Sequence, residues 1–147
     1  MSSVVEWNAL SKDSHPARDA SLASYAAVSR KDKDAWLALF ADDVVYEDPP
    51  GTVSSRGKQV MSDHAWDGSF TDTKRWILEP LLVIECGNEA QVHMRNHGAV
   101  NGVPAWVDSI ELWRVNDAGL VDSVRAFWEI PAEIYDSLAL STWEQNS

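Results

Sequence analysis

Ile110-Glu111-Leu112-Trp113-Arg114-Val115 runs into Asn116-Asp117-Ala118-Gly119, and Leu120-Val121 takes up the apolar pattern again beyond it. Alternating β-branched and aromatic residues on either side of four turn formers make a strand, a turn and a strand. Outward from this hairpin, the two strands extend over Val103–Val115 and Leu120–Ile130. Upstream, Asn101-Gly102 is the dipeptide that tight hairpins favour, and it marks Glu89–Val100 as the preceding strand. Arg75–Glu85 completes an antiparallel meander of four, provided that Pro80 sits at a bulge or on an edge.

Before Asp72 the texture is helical. Pro16 opens a helix that Ser14 or His15 can cap, with Leu22, Tyr25, Ala26 and Ser29 sharing a face. Arg30-Lys31-Asp32-Lys33 breaks it, and Asp32 caps a second helix with Trp36, Leu37 and Phe40 as its apolar stripe. Val44-Val45-Tyr46-Glu47 is a short strand that Pro49-Pro50-Gly51 ends. A third short helix is expected from Gly57 to Trp66, with Val60, Met61 and His64 on one side. Pro131 starts a short C-terminal helix through Tyr135 and Leu138. Helices packed on one face of a curved antiparallel sheet define an α+β fold with a concave space for a small molecule. The boundaries are a flexible arm over 1–13, one domain over 14–140 and a tail over 141–147.

Composition narrows the function classes. The 147 residues carry 12 Lys plus Arg against 23 Asp plus Glu, a formal charge of −11, which argues against nucleic acid or an anionic membrane as partner. The single cysteine, Cys86, cannot form an internal disulfide. Met1–Trp7 shows no basic region followed by an apolar run, so no signal peptide is expected. The longest apolar run, within Trp76–Ile84, is too short to span a bilayer. These readings point to a cytoplasmic protein. Eight Trp against three Phe and three Tyr suit either core packing or the lining of a pocket for a flat apolar ligand.

Metal chemistry is not signalled. His93 and His97 share a strand face but lie about 13 Å apart along it, too far for one zinc ion. Carboxylates are the more informative class. Asp48 follows a strand and precedes two prolines that fix the backbone, which suits an Asx-type turn first and also a general base. Glu111 shares a strand face with Val107, Ser109, Trp113 and Val115. If that face is buried, the Glu111 carboxyl is pushed up; if it is wet, Ile110 and Leu112 are the core instead. Tyr25, on the apolar side of the first helix, needs a partner for its hydroxyl.

Tyr25, the run Trp36–Asp43, Glu47-Asp48-Pro49-Pro50-Gly51, the hairpin Ile110–Val121 and Val124-Arg125-Ala126-Phe127-Trp128 together resemble the ketosteroid isomerases, within the NTF2-like (SnoaL-like) superfamily. The likeness spans about residues 20–130. It implies a cone in which helices and a curved, mostly antiparallel sheet enclose an apolar pocket. It also implies a base at Asp48, and Tyr25 and Glu111 as donors to an enolate oxygen. Glu111 stands where the family has Asp, His64 where some members carry a supporting Tyr, and Asn96 in a strand that usually offers apolar residues.

The implied reaction moves a proton between carbons α and γ to the ketone of a flat, steroid-like or polyketide-like molecule, without cofactor or metal. Trp113, Trp128 and Met94 would wall the rings, with His64 and Asn96 as further substrate contacts. The resemblance also implies a homodimer through the open face of the sheet, with Trp76 and Trp106 as interface candidates. Two alternatives share the scaffold: a dehydratase or lyase using Asp48 with His64, and a non-catalytic ligand-binding module. An epoxide hydrolase would need acids where Arg95-Asn96-His97 and Arg125-Ala126 have none.

Overall fold

The computed structural model describes residues 15–51, 55–67, 77–100 and 103–129. Two helices, α1 (Pro16–Arg30) and α2 (Lys33–Leu37), precede strands β1 (Phe40–Glu47) and β2 (Ser55–Arg56). The short α3 (Lys58–Val60) runs on into a π-helical segment, Met61–Trp66. Strands β3 (Ile77–Cys86), β4 (Glu89–Val100), β5 (Val103–Val115) and β6 (Val121–Trp128) complete the chain order. The sheet has six strands in the order β2-β1-β6-β5-β4-β3. The four-stranded meander is antiparallel throughout, whereas β1 joins it parallel to β6.

The meander follows the sequence closely. Val100 pairs with Val103, so β4 and β5 are antiparallel neighbours, as expected; Asn101-Gly102 lies outside the described residues. Asn116 Oδ1 accepts from the N–H of Ala118 and of Leu120, and Gly119 takes φ +79°, the left-handed conformation that glycine adopts without strain. Pro80 satisfies both of its alternatives: β3 is an edge strand, and its register shifts between Pro80 and Leu82.

Helix α1 departs from its predicted face. The buried residues are Ala17, Ala20, Ser21, Ser24, Tyr25, Ala27 and Val28, whereas Ala26 and Ser29 are exposed. Small residues carry this face, which lets the helix lie close across β3, β4 and β5. Its serines are tolerated because each has a partner. Ser21 Oγ donates to the Arg18 carbonyl, and Ser24 Oγ accepts from the Trp36 indole at 3.0 Å. His15 occupies the N-cap position without a side-chain cap. The cap comes from the sheet instead: Glu85 Oε2 accepts from the Arg18 N–H at 2.9 Å, and Oε1 meets His15 Nδ1 at 3.3 Å.

Asp32 caps α2 as predicted, through Ala35 N–H. Phe40 is not part of that helix: β1 begins there, four residues earlier than expected, and Phe40 is fully buried against Trp36 at 4.8 Å. The third helix forms within its predicted span but buries Met61 and Trp66, leaving Val60 and His64 outside. Strand β6 ends at Trp128, short of Ile130. The arm over 1–13, the tail, Trp76 and the C-terminal helix from Pro131 lie outside the described residues.

Candidate active site

The face of β5 carrying Glu111 is the covered one. Val107, Ser109, Trp113 and Val115 are buried, while Trp106 and Ile110, which alternate with them, are exposed. Glu111 pairs across the sheet with Val92 and with Ala126, both buried. Helix α1 crosses this face and sets Tyr25 above it. The Tyr25 hydroxyl donates to Glu111 Oε2 at 2.6 Å, and the Trp113 indole N–H donates to the same oxygen at 2.8 Å. The Tyr25 and Trp113 rings meet edge to face at 5.9 Å, which fixes both donors.

Two donors on one oxygen leave the other free. Among the described residues Oε1 of Glu111 has no hydrogen-bond partner and is not sealed from solvent. Burial pushes the Glu111 carboxyl up to about 7, against the pull of the Tyr25 and Trp113 hydrogen bonds and with help from the negative charge of Asp48. A proton on this group belongs on Oε1, because Oε2 already accepts twice. Tyr25 is itself held far above its ordinary range, by burial and then by Glu111, and stays a donor.

Asp48 stands just past the end of β1, beside β6. Its Oδ1 accepts from the Trp128 indole at 2.6 Å, and its Oδ2 lies 3.5 Å from the Tyr46 hydroxyl. Burial raises the Asp48 carboxyl, and the Trp128 and Tyr46 contacts oppose the rise. The residue nevertheless keeps an exposed surface. A carboxyl crowded enough to be desolvated yet reachable by water lines a recess. The two acids therefore share one inner face, each held by a tyrosine and a tryptophan.

Of the residues singled out in the sequence, Asp48, Tyr25, Glu111, Trp113 and Trp128 come together here. The tryptophans serve as hydrogen-bond donors as well as apolar bulk. Met94 and Trp113 are packed in the core, 0% and 2% exposed, so neither offers an open wall. Asn96 lies on the same inner face, four residues along β4 from Val92. His64 does not join the group. It is exposed, and the hydrogen bonds on Asp48 come from Tyr46 and Trp128.

Tyr46 is the residue that the sequence reading missed. Burial raises its phenol well above the ordinary value, and the charges of Asp48 and Glu111 raise it further, so its hydroxyl, 3.5 Å from Asp48 Oδ2, feels both acids. The available signal was the alternation Val44, Tyr46, Asp48, which puts Tyr46 and Asp48 on one side of the chain. Among the described residues no three His, Cys, Asp or Glu side chains stand together as a metal site, and no helix is long and apolar enough to cross a membrane.

Helices laid over the inner face of a curved, mostly antiparallel sheet define the NTF2-like fold. A SnoaL-like domain profile matches residues 22–124, and the chain belongs to the SnoaL-like family. No curated protein sequence matches it.

Among solved structures, a Mycobacterium tuberculosis protein crystallised with estradiol-17β-hemisuccinate is 28% identical, with a TM-score of 0.71 over 80% of this chain and 96% of that one. A Δ5-3-ketosteroid isomerase from a Mycobacterium species is also 28% identical, with a TM-score of 0.69 over 79% and 95%. An epoxide hydrolase/cyclase-like enzyme of salinomycin pyran-ring formation shares the fold at 18% identity, with a TM-score of 0.67 over 77% and 90%.

Proposed function

We propose that the protein is a ketosteroid-isomerase-like enzyme. It shifts a carbon–carbon double bond into conjugation with a ketone on a flat apolar substrate. Asp48 removes a proton from the α carbon, the electron pair moves toward the ketone oxygen as a dienolate, and Asp48 returns the proton at the γ carbon. Glu111, neutral and with Oε1 free, donates a hydrogen bond to the developing oxyanion. Tyr25 and Trp113 hold and polarise Glu111 from behind. Trp128 clamps Asp48 through Oδ1, which leaves Oδ2 as the oxygen that takes the proton. No cofactor or metal enters these steps. The enzyme works as a homodimer, paired through the outer face of the sheet.

The observation that carries this reading is the division of labour between the two carboxyls. One accepts two hydrogen bonds on a single oxygen and is pushed up to about 7, so that it keeps its proton up to neutrality and loses it above; the other faces the recess with one oxygen only loosely held. Likeness to a ketosteroid isomerase and to a steroid-bound protein supports the substrate class. The dehydratase alternative needs His64 beside Asp48, and the hydrogen bonding at Asp48 does not favour it.

The test is turnover of a 5-ene-3-ketosteroid to the conjugated 4-ene-3-ketone, followed by ultraviolet absorbance. Wild type should turn over, and Asp48→Asn should lose at least a hundredfold. Full turnover in Asp48→Asn would overturn the assignment of the base. Steroid binding without turnover in the wild type would leave a binding module in place of an enzyme.

A further inference from the structure

Buried polar atoms nearly always find a hydrogen-bond partner. Among the described residues one buried side-chain atom does not: Oδ1 of Asn96. Asn96 stands in β4 between Leu78 of β3 and Val107 of β5, on the inner face of the sheet. Its Nδ2 donates to Ser109 Oγ at 3.2 Å. Ser109 is 4% exposed and sits opposite Trp128. Its oxygen is taken as an acceptor, and its own proton has no acceptor among the described residues. The Asn96–Ser109 couple thus lacks one donor and holds one spare donor.

A hydroxyl group supplies what the couple lacks and uses what it has to spare. It can donate to Asn96 Oδ1 and accept from the Ser109 hydroxyl. A ketone can satisfy only the second of these, and a methyl group neither. The terminal amide torsion of asparagine is soft, so a small turn brings Oδ1 to an arriving donor. The position also has meaning. Val92 pairs with Glu111, and Asn96 is four residues further along the same strand, roughly 13 Å away at about 3.3 Å per residue. A rigid fused-ring molecule with its ketone at Glu111 places its opposite end near Asn96.

We propose that Asn96 and Ser109 form a hydroxyl-selective subsite on the inner face, with Ser109 two residues (about 7 Å) along β5 from Glu111 and Asn96 on its far side. The preferred ligands are then hydroxy-ketones on a flat apolar skeleton. This rests on the proposed function, which supplies the ketone end. A site built to bond a hydroxyl discriminates against the analogue that leaves its buried groups unpaired.

The probes are a 4-ene-3-ketosteroid with a 17-hydroxyl and its counterpart with a 17-ketone, titrated calorimetrically into wild type, Asn96→Leu and Ser109→Ala. Wild type should bind the hydroxyl form about tenfold more tightly, the net value of one added hydrogen bond. Asn96→Leu should abolish the preference. Ser109→Ala should reduce the preference, which keeps the test available if Asn96→Leu does not fold. Equal affinities in wild type, or a preference that survives both substitutions, would overturn the subsite alone. Binding of neither steroid would overturn the proposed function, and the subsite with it.

Discussion

Asp48 and Glu111 begin as chemically similar groups and end with opposite tasks, because their donors are distributed differently. Asp48 has one close indole donor and one distant phenol. Glu111 has two close donors on one oxygen and the more desolvated setting. If the reaction needs Asp48 charged and Glu111 neutral, the rate must fall as pH rises through the value of about 7 at which Glu111 loses its proton. Glu111→Gln keeps a donor at every pH. Its kcat/KM profile should lose the alkaline limb, and Glu111→Ala should lower kcat about 10²–10³-fold, as removal of an oxyanion donor does.

Stability should follow the same proton. Between the ordinary value of 4.5 and about 7, the unfolded chain has released it and the folded chain has not. This group's contribution is therefore fully favourable below about 4.5 and declines as pH rises toward 7. The decline amounts to roughly 3 kcal/mol at 1.36 kcal/mol per unit, less whatever solvent at Oε1 takes back. Urea unfolding of wild type and Glu111→Gln at pH 4.5 and pH 7.5 should show the gap. An equal pH dependence in both proteins would place Glu111 in water.

At the scale of the element, the meander was legible because strand alternation and turn chemistry are local. Asn101-Gly102, Asn116–Gly119 and Pro80 each say where a strand stops or bends without reference to anything distant. The face of α1 was not legible, because it is decided by what lies beneath. Alanines and serines score weakly on any apolar scale, yet close packing on the sheet selects them. Likewise the sequence does not say which acceptors the indoles of Trp113 and Trp128 find, since a side chain's hydrogen-bond partner is a property of the assembled site.

The N-terminus of α1 makes the same point, because its cap is Glu85, about seventy residues away in sequence. The carboxylate both accepts an N–H that the helix leaves unpaired and opposes the positive end of the helix dipole. Glu85→Ala should cost about 1–2 kcal/mol, within the range for a lost N-cap. Hydrogen exchange should accelerate in the first turn of α1 and leave β5 and β6 unaffected. Uniform acceleration across the sheet would mean that Glu85 supports the whole fold and not this helix end.

At the scale of the molecule, the outer face of the sheet does not look like a surface meant for water. Leu82 pairs with His93, His93 with Ile110, and Ile110 with Phe127, so one row crosses all four strands of the meander. Leu82, Ile110 and Phe127 are 55%, 43% and 41% exposed, and Ile84 and Trp106, also on this face, are 53% exposed each. At about 4.8 Å between strands Ile110 and Phe127 form one apolar patch and Leu82 and Ile84 another, with His93 of β4 between them. Charged pairs stand around them: Arg95 with Asp108, His97 with Glu79, and Arg114 with Asp122. An apolar centre with a polar rim is how protein interfaces are built. A second copy of the chain offers the same patches, and a twofold axis through this face would bury those of both copies at once. The net charge of −11 per chain opposes association at long range, so the dimer should tighten with added salt, which screens that repulsion. Sedimentation equilibrium should show a dimer in wild type and a monomer in Ile110→Arg. That residue lies at the middle of the row and points away from the recess, so steroid binding should persist in the monomer. A wild type that stays monomeric at high protein concentration and moderate salt would show that the patches serve some other contact.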